Sequence, residues 1–387
     1  MVSDAGVLPA LAVQPAPAVA AAPVWDRFAR WPRGQARFAL LALLLVVLAA
    51  ALVPIEAGKP VATAGFVENV SGASNKAYDR PRDEDLALYD RVIARIRHGE
   101  NYYDFIAAEH RKAHYPVTPG FAVRLPTLAY LDAWLGLPGQ IACAVLLLVA
   151  VIGAWWRRLR EEPGGAERLP MALALLFVGA SLGLNRYYFV LHELWAGMLL
   201  ALSFGLHRPG KRWLASLLVA ALALAIREHS LPFVLLMAAM ALWRRDWKEG
   251  AAWSGLALVF LIALKIHLGI IAAQVLPTDR ASDSWLALRG LSGSLSTVVL
   301  SSNLRFLPHW LAGPMVMLAV AGWAGWRSSA GVFATFLFLG YGIAFGIAGR
   351  PDNFYWGAMI APTLFMGLAF APQAVRSLAR ASFPSPK

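Results

Sequence analysis

Three groups of residues have the types and spacing to do chemistry. The first is the acidic run Asp83-Glu84-Asp85, with Tyr89, Tyr103 and Tyr115 downstream. A carboxylate at a partly desolvated surface has a raised pKa and can take a proton from a hydroxyl as a general base. One carboxylate of the triplet Asp83, Glu84 and Asp85 could take that role. An Asp-x-Asp pair also offers oxygen ligands to a divalent cation. Two acids at a helix start are commonplace, however, because they cap the end and complement its dipole. Neither a metal nor another cofactor is therefore expected. The second group is His192-Glu193, an ionisable pair opening an apolar stretch. A charge at mid-bilayer costs about 2.5–3.5 kcal/mol and less at the edge, so such a pair marks a site. A favourable helix N-terminus is the plainer account. The third group is Arg227-Glu228-His229 and Arg350-Pro351-Asp352-Asn353-Phe354-Tyr355. Arginine holds phosphate oxygens in a fork; pairing of Arg227 with Glu228 and of Arg350 with Asp352 is the competing explanation.

The elements that must position these groups are membrane helices. Of 387 residues, 59% are hydrophobic and 15% charged, and the mean hydropathy is +0.56. Soluble domains carry about 45–50% apolar and about 25% charged residues, so a soluble enzyme is excluded. The net charge of +12 does not indicate nucleic acid, because the basic stretches flank apolar runs instead of forming one patch. The lone Cys143 can form no internal disulfide and no thiolate zinc site.

An all-α, polytopic transmembrane bundle of about ten spans is expected. At about 20 residues per crossing, spans fall near 38–54, 137–156, 169–185, 189–206, 212–227, 230–244, 251–273, 306–325, 329–349 and 357–374. Stretches 121–136 and 286–300 are short or Ser/Gly-rich and read as re-entrant or interfacial. Residues 1–36 are Ala/Pro-rich and read as a disordered cytoplasmic tail, 37–374 as the transmembrane domain and 375–387 as a second cytoplasmic tail. Basic residues at 157–160, 208–212, 244–248 and 327 fall in alternate loops, which places both termini inside. Trp155, Trp156, Trp213, Trp243, Trp247 and Trp326 are expected to form an aromatic belt at that side.

The first outer loop runs from about 55 to 120, long enough to be functional. Apolar residues at 86, 89, 93 and 96 recur with helical period and Gly99 stops the run, predicting an amphipathic helix over 84–98. Its stripe is expected to lie down on the membrane surface. Arg186, Arg227 and Arg350 end spans on the outer side, against the usual bias for arginine. Within the seventh span, Lys265 is expected to snorkel outward.

This arrangement resembles the polytopic GT-C glycosyltransferases, in particular the protein mannosyltransferases and lipid A aminoarabinose transferases. Asp85-Leu86-Ala87-Leu88-Tyr89 is similar to their Asp-Glu-x-x-Tyr, with Leu in place of Glu. Gly99 to Tyr103 resembles their Gly-x-Tyr turn, and His114-Tyr115-Pro116 their basic-aromatic-Pro stretch. Tyr188-Phe189-Val190-Leu191-His192-Glu193 resembles Tyr-x-x-Leu-Asp-Pro, with His-Glu where Asp-Pro is expected. The likeness covers roughly residues 37–205. It implies a GT-C-like bundle with a helical first extracytoplasmic loop, in a bacterial inner membrane with the active site on the periplasmic face. It implies inverting transfer of a sugar from a polyprenyl-phosphate carrier to a glycan, lipid or protein acceptor. Asp85 would be the base, with Asp83 beside it, and Glu193 with His192 would position sugar or acceptor. Arg350 and Arg227 would hold the departing phosphate, and Tyr103, Tyr115 and Tyr355 would contact substrate. Two rival classes remain: a polymerase or ligase of the O-antigen type, and a flippase or secondary transporter of lipid-linked sugars.

Overall fold

The computed structural model describes residues 23–56 and 83–383. Residues 1–22 and 384–387 of the expected tails, and 57–82 of the expected outer loop, lie outside the described residues. Among the described residues the chain is helical and has no strand. Five helical stretches are long and apolar enough to cross a membrane: Arg33–Leu52, Gly120–Glu161, Ala166–Leu184, Trp247–Ala272 and Ser329–Ile347. Of the other expected spans, 189–206, 212–227 and 230–244 are shorter apolar helices.

In chain order the helices are α1 (Arg33–Leu52), α2 (Glu84–Arg97), α3 (Tyr102–Lys112), α4 (Thr127–Glu161), α5 (Leu169–Ala180) and α6 (His192–Leu206). Then come α7 (Leu214–Ile226), α8 (Leu231–Trp243), α9 (Trp247–Ala272), α10 (Gly290–Leu300), α11 (His309–Gly325), α12 (Ser329–Ile347) and α13 (Ala371–Ser382). Stretches 121–136 and 137–156, expected as separate elements, follow end to end in α4, but Gly136 leaves the helical conformation (φ 61°, ψ 177°), so two helical pieces meet at a kink there, with Pro138 in the first turn of the second.

The expected last span, 357–374, is not one helix. Pro351–Met359 is 3₁₀, Ala361–Leu364 is a single α turn, Phe365–Ala369 is 3₁₀ again, and α13 follows. Pro362 and Pro372 each sit where a new helical piece begins, and neither can donate the hydrogen bond that would continue the old one. This broken segment is nonetheless deeply buried, with Ala361, Phe365 and Met366 fully enclosed. Glycine admits it: a Cβ on Gly197 of α6 would overlap the Ala358 carbonyl, and one on Gly179 of α5 the Ala361 carbonyl.

Residues 23–36 of the expected disordered tail are structured. Asp26 is buried and accepts bonds from the Phe28 and Ala29 amides and from Gln373 and Ser377 of α13. That network ties residues 23–32 to the final helix, whose Leu378 is buried against Phe28.

Helix α2 forms as its periodicity predicts, but its stripe does not face the bilayer. Leu86, Leu88, Val92, Ile93 and Ile96 are buried in a second core with Phe105, Ile106, Val190 and Ile271. The apolar face finds protein partners, which bury it more completely than a membrane surface could. His267 of α9 completes the anchor, bonding the Tyr103 hydroxyl at 3.1 Å and the Val123 carbonyl at 3.2 Å. The aromatic belt is also smaller than expected. Trp156, Trp243 and Trp247 are exposed, whereas Trp155 and Trp326 are fully buried and bond the Ala201 and Pro163 carbonyls.

Candidate functional site

A cavity of about 1010 Å³ opens at one end of the bundle, between α2–α3 and the ends of α4, α6, α7 and α12. Asp83, Asp85, Tyr115, His192, Glu193, Arg227, Arg350 and Tyr355 all line it. The basic loops at 157–160 and 208–212 lie at the opposite end.

The mouth is built by the loop helices. Asp83 occupies the N-cap position of α2, yet its side chain makes no capping bond. Asp85, in the first turn, accepts a hydrogen bond at Oδ1 from the Tyr115 hydroxyl. Tyr115 is set by the end of α3, where His114 takes a left-handed conformation (φ 58°) and the Tyr115 amide bonds the His110 carbonyl at 2.8 Å. Beneath it, His110 Nδ1 pairs with the Pro116 carbonyl at 3.0 Å. Burial lowers the His110 pKa to about 4, so the ring is neutral at physiological pH.

The floor carries four charges. Arg227 Nε lies 2.7 Å from Glu193 Oε1, both side chains 1% exposed. Those two atoms meet as charges without the alignment of a hydrogen bond. Arg227 Nη1 donates to Glu228. Arg124 approaches the same acids, at 3.6 Å from Glu193 and 4.0 Å from Glu228. Arg124 also donates to the Tyr89 hydroxyl at 3.1 Å and the Tyr355 hydroxyl at 3.3 Å. Two cations and two anions thus cancel in a site that water hardly reaches, the condition under which buried charge is tolerated. Asn353 donates to the same Tyr355 oxygen at 3.2 Å. Burial pushes the Tyr355 pKa up to about 12, keeping it a neutral phenol. His192 rests on the Leu125 carbonyl at 3.4 Å, with its ring against Tyr89.

The far wall is basic. Arg350 reaches Asp352 at 3.4 Å and Ser282 at 3.4 Å, and stands over the Trp285 ring. Arg280 and Arg305 line the same cavity. The segment bearing Arg280 is held to α3 by Arg111, which bonds Asp279 at 2.6 Å and the Gln274 carbonyl at 2.5 Å.

Sequence reasoning and geometry part at several residues. Tyr103 is absent from the cavity wall; its place on α3 turns it toward His267. Arg186 is likewise absent from that wall. Both simple pairings, Arg227 with Glu228 and Arg350 with Asp352, are present. Glu193 is occupied by two arginines, and Arg227 is enclosed by two acids, whereas Arg350 remains about one-third exposed. Arg124 was missed, although an arginine just before an outer helix start carries the same signal that singled out Arg227. Arg280 and Arg305 were missed because nothing local distinguishes them.

No curated protein and no solved structure matches the chain. A family model described as "Predicted membrane protein (DUF2079)" matches residues 83–375, from the acidic start of α2 into α13. The match spans most of the sequence, the cavity included, and the chain belongs to that family of membrane proteins.

Proposed function

We propose that the protein is an integral membrane glycosyltransferase that moves a sugar from a polyprenyl-phosphate carrier to a hydroxyl on an extracytoplasmic acceptor. One observation carries this reading. A single cavity at the end of an apolar bundle is lined by the carboxylate of Asp85 and by the arginines Arg350, Arg280 and Arg305. A lipid carrier reaches such a site from the bilayer, and an acceptor reaches it from the aqueous side.

Asp85 takes the proton of the acceptor hydroxyl while that oxygen attacks the anomeric carbon. The bond from that carbon to the phosphate oxygen breaks, its electron pair leaves with the lipid phosphate, and configuration inverts. Tyr115 orients the carboxylate through its hydrogen bond. The phosphate gains negative charge as it departs, and preorganised guanidinium groups stabilise it. Arg350 is the principal clamp because Arg227 is already neutralised by Glu193 and Glu228. Glu193 and Glu228 then serve to hold Arg227 and Arg124 in place, and Tyr355 with Asn353 shapes the sugar pocket. The inner-membrane setting with the cavity on the periplasmic face follows from the same reading, since the basic loops lie at the other end.

The test is transfer in membrane vesicles supplied with polyprenyl-phosphate-linked hexoses and pentoses, comparing wild type with Asp85→Asn at equal expression. Loss of a general base lowers turnover by about 10²–10⁴-fold. Full transfer by Asp85→Asn would remove Asp85 from the mechanism. Absence of transfer by wild type from every lipid-linked sugar would remove the enzyme class.

A further inference from the structure

The end of the bundle opposite the cavity holds a second hollow, of about 660 Å³, lined by Arg157 of α4 and by Arg208, Lys211 and Arg212 of the α6–α7 turn. The proposed sugar transfer makes no use of it. Local sequence builds its basic side. In Arg208-Pro209-Gly210-Lys211, proline takes the second place of a turn and Gly210 the third at φ +67°, with the Lys211 amide bonding the Arg208 carbonyl at 3.1 Å. The turn closes through reciprocal 3.0 Å backbone bonds between Arg208 and Arg212, which gathers three cations at one point.

The turn is also pinned from below. Glu249, fully buried, accepts the Gly210 amide at 3.0 Å, His207 Nε2 at 2.7 Å and Arg244 at 3.0 Å. The cations therefore stand on a rigid support, and little ordering entropy remains to be lost when a ligand binds.

Charge in the hollow is unbalanced. Arg157, Arg208 and Arg212 share one carboxylate, Glu161, at 3.0, 2.5 and 3.9 Å. Lys211 makes no ion pair among the described residues. Four cations stand against Glu161 and the Asp246 carboxylate behind Gly210, and this excess of positive charge calls for an anionic ligand. Its other half is apolar: Leu206 and Leu214 line the hollow. From there α7 continues with Leu214, Leu218 and Leu222 exposed in one stripe, and α4 with Leu146 and Val149 exposed.

We infer that this hollow binds the phosphate headgroup of an anionic phospholipid, whose acyl chains run along the exposed faces of α4 and α7. A basic pocket continuous with lipid-facing helices is the arrangement that retains such headgroups. Free phosphate would satisfy the arginines but leave the leucine stripes unused.

The experiment is native mass spectrometry of the delipidated full chain, titrated with phosphatidylglycerol, phosphatidylcholine or inorganic phosphate. Wild type should retain phosphatidylglycerol at least tenfold better than phosphatidylcholine, and phosphate weakly. Lys211→Gln and Arg212→Gln should each weaken retention about fivefold, the factor one basic side chain supplies at an anionic surface. Both side chains are exposed, so thermal unfolding should not change. Glu161→Gln, which removes the internal competitor, should tighten binding. Equal retention of the two lipids, unchanged retention by both Lys211→Gln and Arg212→Gln, or phosphate binding as tight as lipid binding would each overturn the proposal.

Discussion

The four charges under the cavity make a sharp energetic test, because Glu193 and Arg227 are each only 1% exposed and in direct contact. In Glu193→Gln the side chain keeps its shape and loses its charge. Arg227 then retains Glu228, and Arg124 retains the same Glu228 at 4.0 Å, so two buried cations share one carboxylate. Removing one partner of a buried pair costs about 3–5 kcal/mol. Because Glu228 remains, the lower end applies, and about 3 kcal/mol of unfolding free energy should be lost. Arg227→Gln should cost a similar amount, since it leaves Glu193 and Glu228 repelling each other with only Arg124 nearby. The double variant removes one charge of each sign, so its cost should fall short of the sum by more than about 1.5 kcal/mol. Denaturant titration of purified protein in mild detergent, followed by tryptophan fluorescence, measures all three. A cost below about 1 kcal/mol for Glu193→Gln, or additivity within about 0.5 kcal/mol, would refute the view that these residues form one electrostatic unit.

Two further outcomes follow from the packing. Gly197→Ala places a methyl against the Ala358 carbonyl, which is backbone and cannot swing aside; overpacking of this kind costs about 1–3 kcal/mol. A lower melting temperature is expected, and wild-type stability would show that the 351–359 segment is not held by this contact. His110 has a folded pKa of about 4 against an ordinary 6.5. Between pH 6.5 and 4 the unfolded chain takes up a proton that the folded chain refuses. Stability therefore falls as pH drops through that window, by on the order of 2–3 kcal/mol at pH 4.5. In His110→Gln that portion of the acid sensitivity should vanish; an identical pH profile in the variant would place the effect elsewhere.

What the sequence determines by itself is whatever rests on local composition and period. Hydropathy marks the chain as a membrane protein, and alternate basic loops gather at one end of the bundle because their order along the chain alternates. The stripe at 86, 89, 93 and 96 specifies helix α2, since helical period is a property of neighbours. Asp83, Asp85, His192, Glu193, Arg227 and Arg350 stand out by residue type and position relative to apolar runs, the family resemblance adds Tyr103, Tyr115 and Tyr355, and all of these but Tyr103 line one cavity.

Tertiary structure alone decides which surface each residue meets. A hydropathy count cannot say that the α2 stripe packs on Val190 and Ile271, or that Trp155 and Trp326 are core residues. Nor can it show that the apolar stretch after 350 threads the bundle as broken turns, because glycines on α5 and α6 admit its backbone. The neutral quartet of Arg124, Glu193, Arg227 and Glu228 joins three separate segments of chain. Attraction between buried charges depends on distance in space and on the exclusion of water, and neither is encoded at any one position along the sequence.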